Sequence, residues 1–215
     1  MRRRTCLKRL NRAFVGRIRQ LEAVAMEIVG KNGHDIDRAI AFIAIESGSA
    51  WSGFVREFYL SCAFLCPKTI SGSHVTHTKP NITNERQALI HSIGELKGKR
   101  HGSAQIYPRD EPAWHEKRVL PQLSASLSLS NSASIINGLS YQTDFFDNLP
   151  TVRNFYAHRS LYTAAKIFAL AKRKYGYVGL SHPNELVNTI QLGRPQTLLQ
   201  EWLTDMKEIS IILCR

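Results

Sequence analysis

The sequence has few cysteines and no apolar run long enough to cross a membrane. Its cysteines are Cys6, Cys62, Cys66 and Cys214. They are too few and too scattered for the disulfide framework of a small secreted protein. The basic N-terminus is not followed by an apolar run of signal-peptide or membrane-spanning length. We therefore expect a soluble, cytoplasmic protein with free thiols and no membrane partner.

The sequence also lacks the glycine-rich signatures of phosphate and dinucleotide binding. No Gly-x-Ser-x-Gly nucleophile elbow is present, and no spaced set of acids suggests a two-metal site. These absences disfavour P-loop enzymes, nicotinamide-dependent enzymes, serine hydrolases of that type and two-metal nucleases. We expect no cofactor.

One arrangement of cysteines and histidines superficially resembles a zinc site. Cys62-x3-Cys66 is followed by His74-x2-His77, a spacing that zinc proteins permit. The two cysteines, however, lie four residues apart on a predicted helix and flank the apolar pair Phe64-Leu65. That setting favours small core residues over metal ligands. We predict no metal.

Acidic residues are scarce relative to basic ones. The chain of 215 residues has 29 Lys and Arg against 17 Asp and Glu, a formal net charge of +12. Such an excess favours a polyanionic partner, either nucleic acid or an anionic membrane surface. The basic residues are most concentrated in the first twenty residues and in the loop 97–109. The candidate phosphate-binding residues are Arg2, Arg3, Arg4, Arg9, Lys97, Lys99 and Arg100. A core helix with a solvated basic face is the alternative for the N-terminal segment.

Apolar residues recur at steps of three and four through much of the chain, as in Leu7, Leu10, Phe14 and Ile18. The predicted helices span 1–30, 35–66, 84–96, 150–175 and 195–213, with shorter pieces near 112–119 and 132–146. The expected core positions of the helix 150–175 are Val152, Phe155, Leu161 and Phe168. The middle of the chain is loop-rich, and no repeat or linker divides it. We predict an all-α helical bundle forming a single domain over 1–215.

One segment places an Arg, an Asn and a His at helical spacing. Asn154 and His158 share a helix face, and Arg153 lies about 140° around the axis from His158. We expect Pro150 in the first turn, where free N–H groups and the positive end of the helix dipole favour a phosphate. An Arg and a His at this spacing are more often surface residues. The same two residue types also suit the attack of a ribose 2′-hydroxyl on the adjacent phosphate: the His can serve as the base and the Arg as the cation that stabilises the developing charge.

The segment 146–158 resembles the signature of HEPN domains, an all-helical superfamily of nucleases and nucleotide-binding modules. The motif is Arg, a polar residue that is often Asn, three or more variable residues, then His. Arg153, Asn154 and His158 fill it at the shortest spacing, and Ala157 precedes the His as in many members. A looser likeness to the core helix of several prokaryotic HEPN-like groups covers 35–66, with Glu46, Trp51 and Phe54-Val55-Arg56-Glu57.

The resemblance implies an endoribonuclease that needs no metal. Arg153 would bind the scissile phosphate, His158 would transfer protons, and Asn154 would orient the His or contact the phosphate. Active members are usually homodimers whose motifs share one cleft and leave a 2′,3′-cyclic phosphate. Many are toxins or phage-defence effectors, so RNA, a second copy and an antitoxin or defence-complex partner are expected. Some carry a tyrosine two residues after the His, which the antitoxin modifies; here Ser160 stands there.

Two alternatives stay open at this point. The chain could be a catalytically silent HEPN-like module that binds nucleic acid, a nucleotide or a protein. It could also be a subunit of a larger defence complex whose activity depends on a partner. Active and silent forms both predict salt-sensitive RNA binding, so cleavage in a chelator, rather than binding, discriminates between them.

Overall fold

The computed structural model describes residues 6–29, 31, 33–79, 81–98, 105–190 and 193–215. Over these residues the chain forms nine α-helices, one short 3-10 helix at Pro108–Asp110 and three isolated β-bridges, with no β-strand. The predicted all-α fold class is confirmed. None of the described helices is both long and apolar enough to span a membrane.

The helices follow one another along the chain with loops of varied length. They are α1 (Leu7–Ile28), α2 (His34–Phe64), α3 (Glu85–Lys97), α4 (Val119–Leu127), α5 (Ser132–Leu139), α6 (Phe145–His158), α7 (Leu161–Tyr175), α8 (Asn184–Asn188) and α9 (Leu198–Leu213).

The chain groups into two compact units. Unit 1 comprises the described residues of 1–15, 51–141 and 208–215, and unit 2 those of 16–50 and 142–207. Helices α1, α2 and α9 each contribute residues to both. The single domain expected over 1–215 stays a prediction.

The core of unit 1 is built on aromatic side chains from α1 and α2. The ring centroid of buried Phe14 lies 4.6 Å from that of Phe54 and 5.9 Å from that of Trp51, which it meets edge-on. Cys62 is buried there, as predicted, and burial raises the pKa of its thiol to about 12. Cys66 is exposed, so its predicted place in the core is wrong. Its backbone is left-handed, with φ of 45°, because the chain has already left α2.

The predicted helix 150–175 is wrong: the chain forms two helices there, α6 and α7, which pack against each other in unit 2. Arg159 adopts a left-handed conformation, with φ of 44° and ψ of 40°, which ends α6. Ser160 then caps α7, its Oγ accepting a hydrogen bond from the Thr163 N–H at 3.2 Å. Leu161, expected in the core, is 92% exposed as a result.

Pro150 also lies elsewhere than predicted. Helix α6 begins at Phe145, so Pro150 lies in its interior and not in its first turn. Arg153 and Asn154 therefore belong to the second half of α6, and His158 is its last residue. The free N–H groups of the first turn lie at the other end of the helix from His158. The expected anion site between Pro150 and the motif is therefore absent from the described structure.

Candidate functional site

Helix α6 has one buried and one exposed side, and the motif occupies the exposed one. Its buried residues are Phe145, Asn148, Leu149, Val152, Phe155 and Tyr156. Arg153, Asn154, Ala157 and His158 are all exposed. At 100° per residue these four cover an arc of about 140°. The structure thus brings the three predicted site residues onto one solvent-facing surface, which we call the motif face.

The polar groups of the motif face have no partner of their own among the residues that the structure describes. Within the described residues, Arg153, Asn154 and His158 make no side-chain hydrogen bond and no ion pair. No hydrogen bond joins Asn154 to His158, so this structure does not contain the contact that would let Asn154 orient the imidazole. All three polar groups are open to a ligand from solvent.

Arg153 crosses over a glycine of helix α2. A Cβ placed on Gly48 would lie 3.0 Å from the Cδ of Arg153 and 3.5 Å from its Nε. Helix α2 is continuous through Ser47-Gly48-Ser49. The hydroxyl of Ser49 bonds back to the Ile45 carbonyl at 2.9 Å. Because Gly48 has no side chain, the Cδ and Nε of Arg153 can lie over α2 at this point.

The residue next to His158 is held by a buried acid. The Nη1 of Arg159 donates to the Oδ2 of Asp37 at 2.7 Å, and the Asp37 side chain is only 9% exposed. The Nδ1 of His182 lies 3.8 Å from the other oxygen, Oδ1. The Arg159 guanidinium also lies 5.6 Å from the ring centroid of Tyr156. This group, which we call the Asp37 cluster, joins the end of α6 to the first turn of α2.

The Asp37 cluster also contains polar atoms without partners. Among the described residues, neither Asp37 Oδ1 nor the Tyr156 hydroxyl has a hydrogen-bond partner, although both atoms are buried. Burial and the neighbouring Asp37 carboxylate raise the pKa of Tyr156. The phenol is therefore held in its neutral form.

The two glutamates noticed on α2 are both paired. Glu46 forms an ion pair with Arg17 of α1. Glu57 forms an ion pair with Arg56 at 3.3 Å, and Arg56 also binds Glu111 through two hydrogen bonds of 2.7 and 3.0 Å. Glu46 therefore links α2 to α1, and Glu57 pairs within its own helix, so both have the partners that acids near an apolar stripe ordinarily have.

The predicted phosphate-binding residues are only partly within the described chain. Arg2, Arg3, Arg4, Lys99 and Arg100 lie outside the described residues. Arg9 is exposed on α1. Lys97 donates to the backbone carbonyls of Arg109 and Asp110, at 3.1 and 2.8 Å, so its ammonium group stabilises the 3-10 segment.

The sequence contains a stronger indication of a basic surface than the predicted phosphate-binding residues, and the prediction did not include it. Positions 148–184 include no Asp or Glu, and this acid-free segment covers the motif, α7 and the loop after it. Its basic residues are Arg153, Arg159, Lys166, Lys172, Arg173 and Lys174. Counting acids in a sliding window along the chain would have identified it.

A separate polar cavity of about 580 Å³ opens in unit 2. Its lining includes Asp144, Arg194, Glu201 and Asp205, and none of the motif residues. Burial raises the pKa of Asp205. The motif face is thus open surface away from this cavity.

Comparisons with protein-family models, curated proteins and solved structures find no match to this chain. The resemblance to the HEPN signature therefore depends on Arg153, Asn154 and His158 and on the helical fold alone.

Proposed function

We propose that the chain is a metal-independent endoribonuclease whose site is the motif face of α6. One observation carries the proposal: Arg153, Asn154 and His158 share an exposed arc of a single helix, and their polar groups make no hydrogen bond or ion pair within the described residues. The net charge of +12 supports a polyanionic substrate. The resemblance to the HEPN signature supports RNA as that substrate and predicts the role of each residue.

In this mechanism His158 accepts the proton of a ribose 2′-hydroxyl while the oxygen attacks the adjacent phosphorus. The bond from phosphorus to the 5′-oxygen of the next nucleotide breaks, and that oxygen leaves with a proton from an acid. The products are a 2′,3′-cyclic phosphate and a 5′-hydroxyl. Arg153 pairs with the non-bridging oxygens, where negative charge develops, and its planar fork suits two of them. Asn154 contributes a hydrogen bond to the phosphate.

A second copy of the chain completes the site in this proposal. One motif face supplies a single imidazole, whereas the reaction needs a base and an acid. It is also open surface, and a two-fold contact between two such faces would make a cleft with two Arg153/His158 pairs. A cytoplasmic toxin or phage-defence effector, regulated by an antitoxin or a defence-complex partner, is the biological setting that the resemblance implies.

Site variants test the proposal. His158→Ala is expected to lower the rate of RNA cleavage by about 10²–10⁴-fold, the span typical of a general acid or base. Arg153→Ala is expected to lose a comparable amount, and Arg153→Lys to recover only part of it, because an ammonium group lacks the planar fork. His115→Ala is the matched control, since His115 is also exposed but belongs to unit 1, whereas the motif belongs to unit 2. Equal cleavage by His158→Ala and His115→Ala would reject the site.

A catalytically silent module that binds RNA through the same surface is the second candidate. The observation that favours it is the open setting of the motif face, where nothing in one copy of the described chain excludes water. The silent module predicts that wild type binds RNA and never cleaves it, at any protein concentration. The ribonuclease predicts turnover that rises with dimer formation.

A further inference from the structure

Helix α7 presents an exposed stripe that combines an aromatic ring with two cations. Tyr162, Lys166, Ala169 and Arg173 follow one another at steps of four, three and four residues, and all are exposed. At 100° per residue their side chains fall within about 60° of arc. Tyr162 is 69% exposed, which is unusual for a large aromatic side chain.

A cation already lies against the ring of Tyr162. The Nζ of Lys166 lies 4.4 Å from the ring centroid, close enough for a cation–π contact. The lysine lies over one face of the ring, and Tyr162 is 69% exposed with the lysine in place, so a base would stack on the opposite face.

Most of the basic residues in the acid-free segment have no acid beside them in the described structure. Arg159 pairs with Asp37 at 2.7 Å, and Lys174 pairs with Asp144 at 2.6 Å. Arg153, Lys166, Lys172 and Arg173, the other basic residues of the acid-free segment, make no ion pair with a residue that the structure describes. Unpaired cations concentrated on a helix without acids attract a polyanion.

We propose that Tyr162, Lys166 and Arg173 form a platform for single-stranded RNA. Tyr162 stacks on an unpaired base, and the two cations contact flanking phosphates. An exposed ring and a basic track are the two components of single-strand binding, since every base has a face to stack. A duplex fits poorly, because its bases are already stacked on each other. Ala169 lies between Lys166 and Arg173 along the stripe, and its small side chain leaves room there for an RNA strand.

The platform also names the substrate class of the proposed ribonuclease. Helix α7 begins at Leu161, three residues after His158, and packs against α6. An RNA strand lying on the platform would therefore pass close to the motif face. This last step depends on the proposed function, whereas the binding platform itself does not.

Fluorescence polarisation on a His158→Ala background separates binding from cleavage. The probes are a labelled single-stranded RNA of about 12 nucleotides and a blunt duplex containing the same strand. Tyr162→Ala is expected to bind the single strand about 5- to 150-fold more weakly, the effect of removing one stacking aromatic. Tyr162→Phe keeps a stacking ring and is expected to bind within about twofold of the background protein.

Tyr107→Ala is the matched control. Tyr107 is another exposed tyrosine with a cation near its ring, the Arg109 guanidinium at 5.1 Å, but it belongs to unit 1. Its loss is expected to leave affinity unchanged. Replacing Lys166 and Arg173 together by Gln is expected to reduce the slope of log affinity against log salt by about 1.4, that is 0.7 for each phosphate contact.

Unchanged single-strand affinity in Tyr162→Ala would overturn the platform, whether or not the wild-type protein cleaves RNA. An equal loss of single-strand and duplex affinity would overturn it too. A fall in affinity that occurs only together with dissociation of a dimer, seen by light scattering, would also overturn it and identify the stripe as a protein interface. If Tyr162→Ala loses single-strand binding but the wild-type protein does not cleave RNA, the platform stands and the ribonuclease proposal falls.

Discussion

Breaking the pair between Asp37 and Arg159 should destabilise the protein unequally, depending on which partner is removed. Arg159→Ala leaves the Asp37 carboxylate, only 9% exposed, without its guanidinium partner and with the imidazole of His182 beside it, Nδ1 at 3.8 Å. Asp37→Asn leaves the Arg159 guanidinium, whose side chain is 46% exposed, free to take up water. A buried charge without its partner is the costlier outcome.

The structure sets the size of each effect. Loss of a hydrogen bond to a charged group costs about 1.5–3 kcal/mol, and solvent screening at Arg159 places the pair near the lower end. We expect Asp37→Asn to cost about 1 kcal/mol and Arg159→Ala about 2–3 kcal/mol. The double variant should cost about 1–2 kcal/mol less than the sum of the two, because each change removes the same contact.

The backbone of Arg159 offers an internal control. Its φ of 44° lies in the left-handed region, where glycine is favoured over alanine by about 1 kcal/mol. Arg159→Gly should therefore unfold at higher urea than Arg159→Ala, although both lack the guanidinium. Urea unfolding followed by circular dichroism measures all four variants. Equal costs for Asp37→Asn and Arg159→Ala, or a double variant equal to their sum, would refute the reasoning.

Three further predictions concern single positions. Gly48→Ala should keep or raise the melting temperature, because alanine favours helix, yet it should slow RNA cleavage by displacing Arg153. Gly53→Ala is its control: the added Cβ would meet nothing within 4 Å, so the cleavage rate should not change. Tyr156→Phe should be neutral or stabilising in urea unfolding, because it removes a buried hydroxyl that has no partner among the described residues. Burial lowers the pKa of His91 below 6.5. The stability that neutral His91 contributes is therefore present above pH 6.5 and is lost as the pH falls below that value. The difference in melting temperature between pH 7.5 and pH 5.5 should be smaller in His91→Phe than in wild type.

Local patterns were enough to predict α1, α2, α3 and α9, whereas the short helix predicted near 112–119 is wrong because α4 begins only at Val119. Asn84 was expected at the start of the third helix, and it caps α3 by accepting a hydrogen bond from the Gln87 N–H at 3.0 Å. Gly98, in a left-handed conformation with φ of 62°, ends that helix. Capping residues and apolar stripes act within a few residues of each other, so one sequence reveals them.

The division between α6 and α7 could not be predicted in the same way. Apolar residues continue through 150–175 at helical spacing, and no glycine or proline marks the break. Arg159 takes a left-handed conformation while bonded to Asp37, which lies 122 positions earlier in the chain. Periodicity carries no information about a partner so distant.

The motif face was predictable, but its surroundings were not. The i, i+4 spacing placed Asn154 and His158 on one face, as the structure has them. The passage of Arg153 over Gly48 depends on how α2 lies beside α6, which spacing within either helix does not specify. The acid-free segment 148–184 was visible in the sequence and was overlooked because the predicted basic face was sought at the N-terminus.

The nature of the RNA ends made by the purified wild-type protein tests the central claim most directly. A synthetic RNA is incubated with the protein in excess EDTA, and the products are identified by mass spectrometry. The account predicts undiminished cleavage, with a 2′,3′-cyclic phosphate on one fragment and a 5′-hydroxyl on the other. Cleavage abolished by EDTA, or fragments that carry 5′-phosphate and 3′-hydroxyl ends, would contradict it.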